Sequence, residues 1–365
     1  MKKRKFIKSI GLGLASTAAI GNLFFPNIVS SKKKHTWVAV SAFDKAGILG
    51  RAFSRICDEI TRISNGELNI RLFHANELVS AFESFDVVQS GTCQMGFGSP
   101  YYWAGKSPSI SLLSGIPFGM NYQEMSSWFY NGDGIKFADK IYNQFNLKFF
   151  PAGNTGNQMG GWFNKKIRSA NDFKGLKMRM PGLGGQVLGK LGGSPISLPG
   201  GQIYENLVSG AIDATEWVGP WNDEAMKFQE AAKYYYYPGM HEPGSTLACG
   251  VNKSWFTSLS KSDQLIIKTA CDWADTTTMA EYNAKNGAAL ARLVNESGVK
   301  LEKFNDKVYD AFAKGAAEVF DEVQQHSALA KKVHAAFVKG RKEIGAWTNL
   351  SDGPYVAQRN RALGV

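Results

Sequence analysis

The chain has 365 residues, of which 44% are hydrophobic and 12% aromatic, and its formal net charge is +11. This length exceeds one average hydrophobic core and predicts two lobes, while the composition excludes a disordered or fibrous protein. No basic run interleaved with aromatic residues follows the amino-terminal region, which argues against nucleic-acid binding.

Residues 1–31 are predicted to be an export signal. Five Lys and Arg residues stand within the first eight positions and precede the apolar stretch Ile10–Phe25, so cleavage after Ser31 would reduce the formal charge to +6. Residues 3–8 approximate a twin-arginine pattern with Lys at the first Arg position, which leaves a folded-export route open. An uncleaved anchor is the alternative, although the apolar run is shorter than the ~20 residues that span a bilayer. We therefore expect an exported protein.

The first half of the chain alternates between strand and helix patterns. Trp37–Ser41 reads as a strand, apolar residues recur at helical spacing between Ala52 and Ile63, and Leu68–Phe73 reads as the next strand. This βαβ order predicts an α/β protein with a mostly parallel sheet and helices on its faces.

Two segments of the chain resemble one another. Phe85–Gly91 and Tyr204–Gly210 share an aromatic, an acidic, an apolar, a Ser and a Gly residue in the same order, and a short strand pattern follows each. We interpret them as equivalent parts of two related lobes whose strand ends open toward one cleft. The side chains expected to project there are Tyr101, Tyr102 and Trp103 on one side and Glu216 and Trp217 on the other.

A glycine-rich stretch, Gly153–Gly161, contains Gln158. Its glycines allow the backbone to approach a small ligand closely, although most such stretches are simply turns. It lacks both the Lys-Ser/Thr ending of a phosphate-binding loop and the glycine spacing of a dinucleotide loop.

Arg179 lies in a predicted short strand, Leu176–Met180, that ends at Pro181 and Gly182. Ligands in open α/β sheets gather beyond the carboxyl ends of strands, where a guanidinium offers a bidentate fork to a carboxylate or phosphate. The sequence therefore predicts an anion site at Arg179, with an ion pair to a surface acid as the alternative.

Two glutamates are candidates for a cation site. Glu216 follows a predicted strand among apolar and aromatic neighbours, and Glu242 lies in a turn that is expected to close over the same cleft. Two carboxylates, an amide oxygen and a backbone carbonyl form an all-oxygen set that suits Na⁺ or Ca²⁺ and does not suit zinc. In the alternative reading each glutamate makes its own salt bridge.

The C-terminal third changes to long amphipathic helices. A helix is predicted from Ser260 through Asn295 and again from Asn305 to about Trp347, and residues 348–365 read as an irregular stretch with one helical turn. This last stretch could pack on a second subunit.

Few residues suggest catalysis. The four cysteines lack a CxxC pairing and are interpreted as buried, inert thiols, with one disulfide left open. His241 is the only histidine that is a candidate for acid–base work, and no Ser/His/Asp cluster or zinc-protease motif can be read.

Taken together, these residues resemble the extracytoplasmic solute-binding subunits of tripartite ATP-independent periplasmic (TRAP) transporters, over nearly all of the chain after the export signal. The similarity is closest to the branch that binds 2-oxo acids and lactate. The segments that carry it are Ser99–Lys106, Ile116–Gly119, Gly153–Trp162, Leu176–Gly182, Ala211–Pro220 and Tyr234–Gly244.

The resemblance implies an α/β, two-lobed periplasmic binding protein fold, type II-like, with a ligand cleft between the lobes and long C-terminal helices. It implies that Arg179 pairs with the substrate carboxylate and that a bridging Na⁺ or Ca²⁺ joins substrate and protein. The implied substrate-binding residues are Gln158, Arg179, Tyr101, Tyr102 and Trp217, and the implied metal ligands are Gln158, Glu216, the Trp217 backbone carbonyl and Glu242.

We accordingly divide the chain into an export signal (1–31), lobe I (33–155 with 245–280), lobe II (156–244 with 281–330) and a C-terminal helical extension (331–365) that can contact a second subunit. The expected function is capture of a small carboxylate and its delivery to a cation-driven TRAP membrane permease, without catalysis. Two alternatives stay open, namely an exported metal-assisted enzyme that uses His241 or Glu242 as acid or base, and a binding protein that reports ligand to a membrane sensor.

Overall fold

The computed structural model describes residues 35–364, and the predicted export signal lies outside that range. Within residues 35–364, no helix combines the length and the apolar character needed to cross a membrane. The strands are β1 (His35–Ser41), β2 (Leu68–Phe73), β3 (Met95–Gly98), β4 (Leu147–Asn154), β5 (Gly161–Phe163), β6 (Lys177–Arg179), β7 (Ser194–Ile196), β8 (Ala214–Thr215), β9 (Tyr234–Tyr237), β10 (Thr246–Asn252) and β11 (Lys300–Lys303). The helices are α1 (Ile48–Ile63), α2 (Ser84–Gln89), α3 (Tyr122–Asn131), α4 (Gly134–Tyr142), α5 (Gly182–Lys190), α6 (Ile203–Val208), α7 (Pro220–Ala225), α8 (Phe228–Ala231), α9 (Lys253–Ser258), α10 (Lys261–Asn295), α11 (Asp306–His326), α12 (Ala328–Thr348) and α13 (Asp352–Leu363).

The strands form two sheets, which confirms the predicted α/β class. The first sheet has the order β2-β1-β3-β10-β4, with β1 parallel to β2 and β3, and with β10 antiparallel to β3 and β4. The second has the order β11-β9-β5-β8-β6-β7, in which β6 is parallel to both of its neighbours. Antiparallel crossing strands in both sheets make the fold less purely parallel than the sequence predicts.

The chain passes from one sheet to the other several times. The first sheet takes its strands from residues 35–154 and 246–252, and the second from residues 161–237 and 300–303. The connections are the segments 154–161 and 237–246 and the 35-residue helix α10. Because α10 runs unbroken through residue 280, the lobe boundary placed there stays a prediction.

The two repeated segments form α2 and α6. The glycines that close them, Gly91 and Gly210, have φ angles of +84° and +74°, a conformation that favours glycine. The strand after α2 is β3 in the first sheet, and the strand after α6 is β8 in the second sheet. Equivalent units therefore stand in different sheets.

The C-terminal end is more regular than the sequence predicts. Ser327 separates α11 from α12 and accepts a hydrogen bond from the Ala330 backbone at 3.1 Å, which caps the new helix. Residues predicted to be irregular form the 12-residue helix α13, because Pro354 stands in its first turn, where a missing N–H costs nothing. Helix α13 buries none of its own side chains.

Candidate functional site

The Arg179 side chain lies at the carboxyl end of β6 and is completely buried, with a partner for each of its nitrogens. Its Nε donates to the Leu198 carbonyl at 3.1 Å, Nη1 forms an ion pair with Glu216 Oε1, and Nη2 lies 3.5 Å from the Tyr102 hydroxyl. The guanidinium carbon is 5.1 Å from the centre of the Trp217 ring, which gives a cation–π contact. Arg179 thus does pair with an acid, as the alternative states, but both members of the ion pair are buried and do not lie at the surface.

Strand register explains why Arg179 and Glu216 meet. In the parallel pair β6–β8, Arg179 is opposite Thr215, and the Glu216 backbone N–H donates to the Arg179 carbonyl at 3.1 Å. Both side chains consequently emerge at the same sheet edge. The Glu216 carboxylate is fully buried, as its apolar neighbours in the sequence predict.

Gln158 and Glu242 approach the same point from the two connecting segments. Gln158 Nε2 donates to Glu242 Oε2 at 2.8 Å and to Thr155 Oγ1 at 2.9 Å, and the Gln158 backbone N–H donates to the Glu242 carbonyl at 3.1 Å. A Cβ atom at Gly115 would lie 2.7 Å from Cγ of Glu242, so this glycine makes room for the Glu242 side chain.

Buried polar atoms that make no hydrogen bond surround this point. Gln158 Oε1, Glu216 Oε2 and His241 Nε2 are buried and have no hydrogen-bond partner in the described part of the chain. His241 Nε2 lies 3.2 Å from Glu216 Oε2, an ion-pair distance without hydrogen-bond alignment. Ligand atoms of Glu216, His241 and Glu242 all lie within 4.8 Å of one another. An amide oxygen of Gln158 and a carboxylate oxygen of Glu216 that make no hydrogen bond, together with the second carboxylate of Glu242, fit a hard cation.

Burial and charge perturb the ionisation of the site. Burial, followed by the charge of Glu216, raises the pKa of Glu242. Burial lowers the pKa of His241, but the adjacent Glu216 raises it more, so the net shift is upward. Burial lowers the pKa of Arg179, but the charge of Glu216 raises it, and the net shift is upward. Perturbed pKa values clustered in this way are typical of functional sites.

Two tyrosines that follow β3 of the first sheet, Tyr101 and Tyr102, lie beside Arg179. Tyr101 and Tyr102 follow β3 in a short 3₁₀ helix, and their rings contact edge to face at 5.2 Å. Gly182, with φ +65°, lies so close to Tyr101 that a Cβ there would be 3.0 Å from the tyrosine Cβ. Burial raises the pKa of Tyr102 to about 12, so both hydroxyls stay protonated donors.

The structure brings every predicted site residue to this buried point between the two sheets: Tyr101, Tyr102, Gln158, Arg179, Glu216, Trp217 and Glu242. Trp217 contributes its ring to the contact with Arg179, while the role of its carbonyl stays a prediction.

The sequence did not predict three partners of this site. His241 was considered only for acid–base work, although its place beside Glu242 is the signal that could have located it. Thr155 and the Leu198 carbonyl, which orient Gln158 and Arg179, carry no such signal.

Trp217 also lines a cavity of about 360 Å³. Phe43 and Ala46 line it from the chain after β1, and Ala225 and Met226 line it from α7 and the residue beyond. Its lining is mainly apolar, and Trp217 is the residue that it shares with the contacts of Arg179.

Known proteins are similar to this chain in sequence and in fold. Residues 42–327 match the family of bacterial extracellular solute-binding proteins, family 7 (DctP). A monocarboxylate 2-oxoacid-binding periplasmic protein of Nostoc sp. is 39% identical over 357 residues, which cover 97% of this chain and 98% of that protein.

Two solved structures are also similar. A TRAP periplasmic solute-binding protein from Colwellia psychrerythraea, with bound calcium and pyruvate, is 38% identical, has a TM-score of 0.86, and is matched over 89% of this chain and 100% of that one. Its counterpart from Pseudoalteromonas atlantica, with bound sodium and pyruvate, is 36% identical, also has a TM-score of 0.86, and is matched over 89% and 99%.

Proposed function

The chain belongs to the family of bacterial extracellular solute-binding proteins, family 7, and from that premise we propose that it captures a small 2-oxo acid such as pyruvate, or lactate. The observation that carries the proposal is that one buried guanidinium, Arg179, shares a buried cluster with two oxygen atoms that make no hydrogen bond, Gln158 Oε1 and Glu216 Oε2. An anion and a cation bound side by side would satisfy both sets of groups.

In this proposal Arg179 holds the ligand carboxylate. Its planar fork suits two carboxylate oxygens, and the Tyr102 hydroxyl beside Nη2 is placed to donate as well. Tyr101, Tyr102 and Trp217 enclose the ligand and exclude water, which strengthens the charge interactions.

Gln158, Glu216, Glu242 and the Trp217 carbonyl are proposed to hold Na⁺ or Ca²⁺. Such a cation, when bound, bridges the protein to the oxygen atoms of the acid and balances its charge. Relatives with sodium and with calcium support either ion for this chain.

The receptor is proposed to deliver its cargo to the membrane subunits of a TRAP transporter. Its export signal is proposed to act by a twin-arginine-like route.

Helix α13 is proposed to contact a second copy of the chain, because it leaves Tyr355, Val356 and Leu363 exposed and buries no side chain of its own. Because the family consists of solute-binding receptors, we favour a receptor over an enzyme.

Calorimetry of refolded, ligand-stripped protein tests the proposal. Pyruvate, lactate and longer 2-oxo acids are titrated with and without Na⁺ or Ca²⁺. Tight binding of one acid that depends on the cation is the expected result. If no acid binds under any condition, the cargo assignment is wrong, and the cation site at Glu216 and Glu242 is the first element to abandon.

A further inference from the structure

The two halves of the proposed site share one side chain, Glu216. Its Oε1 forms the ion pair with Arg179 Nη1, and its Oε2 faces His241 without a hydrogen bond among the proposed cation ligands. Glu242 differs in this respect, since its Oε2 accepts from Gln158 and makes no hydrogen bond to Arg179. Glu216 is thus the residue through which an event at the cation ligands can reach Arg179.

Glu216 also occupies the part of Arg179 that a ligand needs. Nη1 carries two N–H groups, and both have an acceptor on Glu216, namely Oε1 and the backbone carbonyl at 3.4 Å. Nε is used by the Leu198 carbonyl at 3.1 Å. Only Nη2, with its long contact to Tyr102, is weakly held. A carboxylate that binds end-on, through Nη1 and Nη2, therefore displaces the Glu216 side chain from Nη1, whereas side-on binding through Nε and Nη2 would have to displace the Leu198 backbone carbonyl.

We propose that Glu216 works as an exchange residue, which releases Arg179 to the ligand carboxylate when it becomes a cation ligand. The inference rests on the proposed function. It predicts that the cation binds before the acid, and that without the cation Glu216 competes with the acid for the same guanidinium.

The charges within the cluster support this order. Arg179 faces two carboxylates, Glu216 and Glu242, with His241 beside the first. An entering acid adds a further negative charge in a fully buried place, and a displaced Glu216 would lose its ion pair with Arg179 and keep only His241 beside it. Uncompensated buried charge is costly, so displacement of Glu216 is favourable only where Glu216 gains another cation. By linkage, the cation and the acid then increase each other's affinity by the same factor.

The decisive experiment compares pyruvate binding to the wild type and to Glu216→Gln in a sodium-free buffer with a calcium chelator. If Glu216 competes with the acid, the variant binds pyruvate at least about tenfold more tightly than the wild type under these conditions. Glu242→Gln is the matched control, because it removes a proposed cation ligand without freeing Arg179, and it should show no such gain. Thermal unfolding of each variant verifies that it is folded.

A second measurement needs no acid at all. Arg179→Gln removes the competitor of the cation for Glu216, so the variant should bind Ca²⁺ more tightly than the wild type in calcium titrations without pyruvate. Unchanged or weaker Ca²⁺ binding, or a Glu216→Gln variant without a gain in calcium-free pyruvate affinity, would overturn the exchange. If the wild type binds no pyruvate even with Ca²⁺, the cargo assignment fails. The calcium titration of Arg179→Gln still tests whether Glu216 exchanges Arg179 for the cation.

Discussion

Glu216 and Asp223 are buried carboxylates seven positions apart, and they differ in how many partners they have. Asp223 accepts from the Trp162 indole at 2.9 Å, the Tyr235 hydroxyl at 2.8 Å and the Val218 backbone at 3.1 Å. Glu216 pairs with Arg179 and keeps one oxygen without a hydrogen bond. A saturated carboxylate fixes structure, whereas an unsaturated one retains a capacity to bind.

The carboxylate of Asp223 helps to fix the backbone next to Glu216. Asp223 accepts a hydrogen bond from the N–H of Val218, and the carbonyl of Val218 accepts one from the Met159 backbone at 3.0 Å. Val218 is therefore fixed on both sides, close in sequence to Glu216 and next to Trp217. Asp223 positions the loop that carries the binding groups.

The largest expected effect is on stability. Asp223→Ala leaves three buried donors without an acceptor and should reduce the free energy of unfolding by about 3–5 kcal/mol. Denaturant unfolding measures the change, with the exposed Asp310→Ala as the control. An unchanged unfolding midpoint in the Asp223 variant would contradict its structural role.

Arg179→Ala should act on binding. Loss of the charge-assisted contact should weaken pyruvate binding in the presence of Ca²⁺ by about 2–5 kcal/mol. Calorimetry measures the loss, and Arg168→Ala, at an exposed position, is the control. Binding of the native ligand that is unchanged in Arg179→Ala would show that the central assignment is wrong.

Tyr102→Phe should give a smaller loss. The variant removes one hydroxyl, 3.5 Å from Arg179 Nη2, and keeps the ring that encloses the site. We expect pyruvate binding to weaken by about 0.5–1.5 kcal/mol, as for one neutral hydrogen bond. The exposed Tyr355→Phe is the control, and a loss as large as that of Arg179→Ala would give Tyr102 a greater role than the geometry supports.

The smallest expected effect is on the pH dependence of stability, through the buried carboxylate of Asp223. Burial raises the pKa of Asp223 from 3.8 to about 7, although its three donors lower it. Between these pH values the folded protein binds more protons than the unfolded chain, so stability should decrease as the pH rises from 4 to 7. Unfolding of Asp223→Asn across this range should show a shallower decrease. An identical slope would assign the decrease to other groups.

The sequence predicts local features of the site and misses those that depend on tertiary contacts. The alternating pattern before Pro181 is enough to locate Arg179 at a strand end. The distance of 84 positions between Gln158 and Glu242 gives no local signal, because these residues meet only where two connecting segments cross between the sheets. His241 and Asp223 are likewise recognised through partners far away in sequence. For residues 348–365 the sequence predicts only one helical turn, whereas α13 spans Asp352–Leu363 with Pro354 in its first turn, a position that a helix tolerates.

The buried cysteines give this protein a practical advantage for spectroscopy. All four thiols of the chain, Cys57, Cys93, Cys249 and Cys271, are free and inaccessible to solvent. Cysteines introduced at the exposed positions Ala46 and Ala225, which line the cavity beside Trp217 from two different parts of the chain, can therefore be labelled with dyes without background reaction. Fluorescence from such a pair would report whether the distance across this cavity changes when a ligand binds.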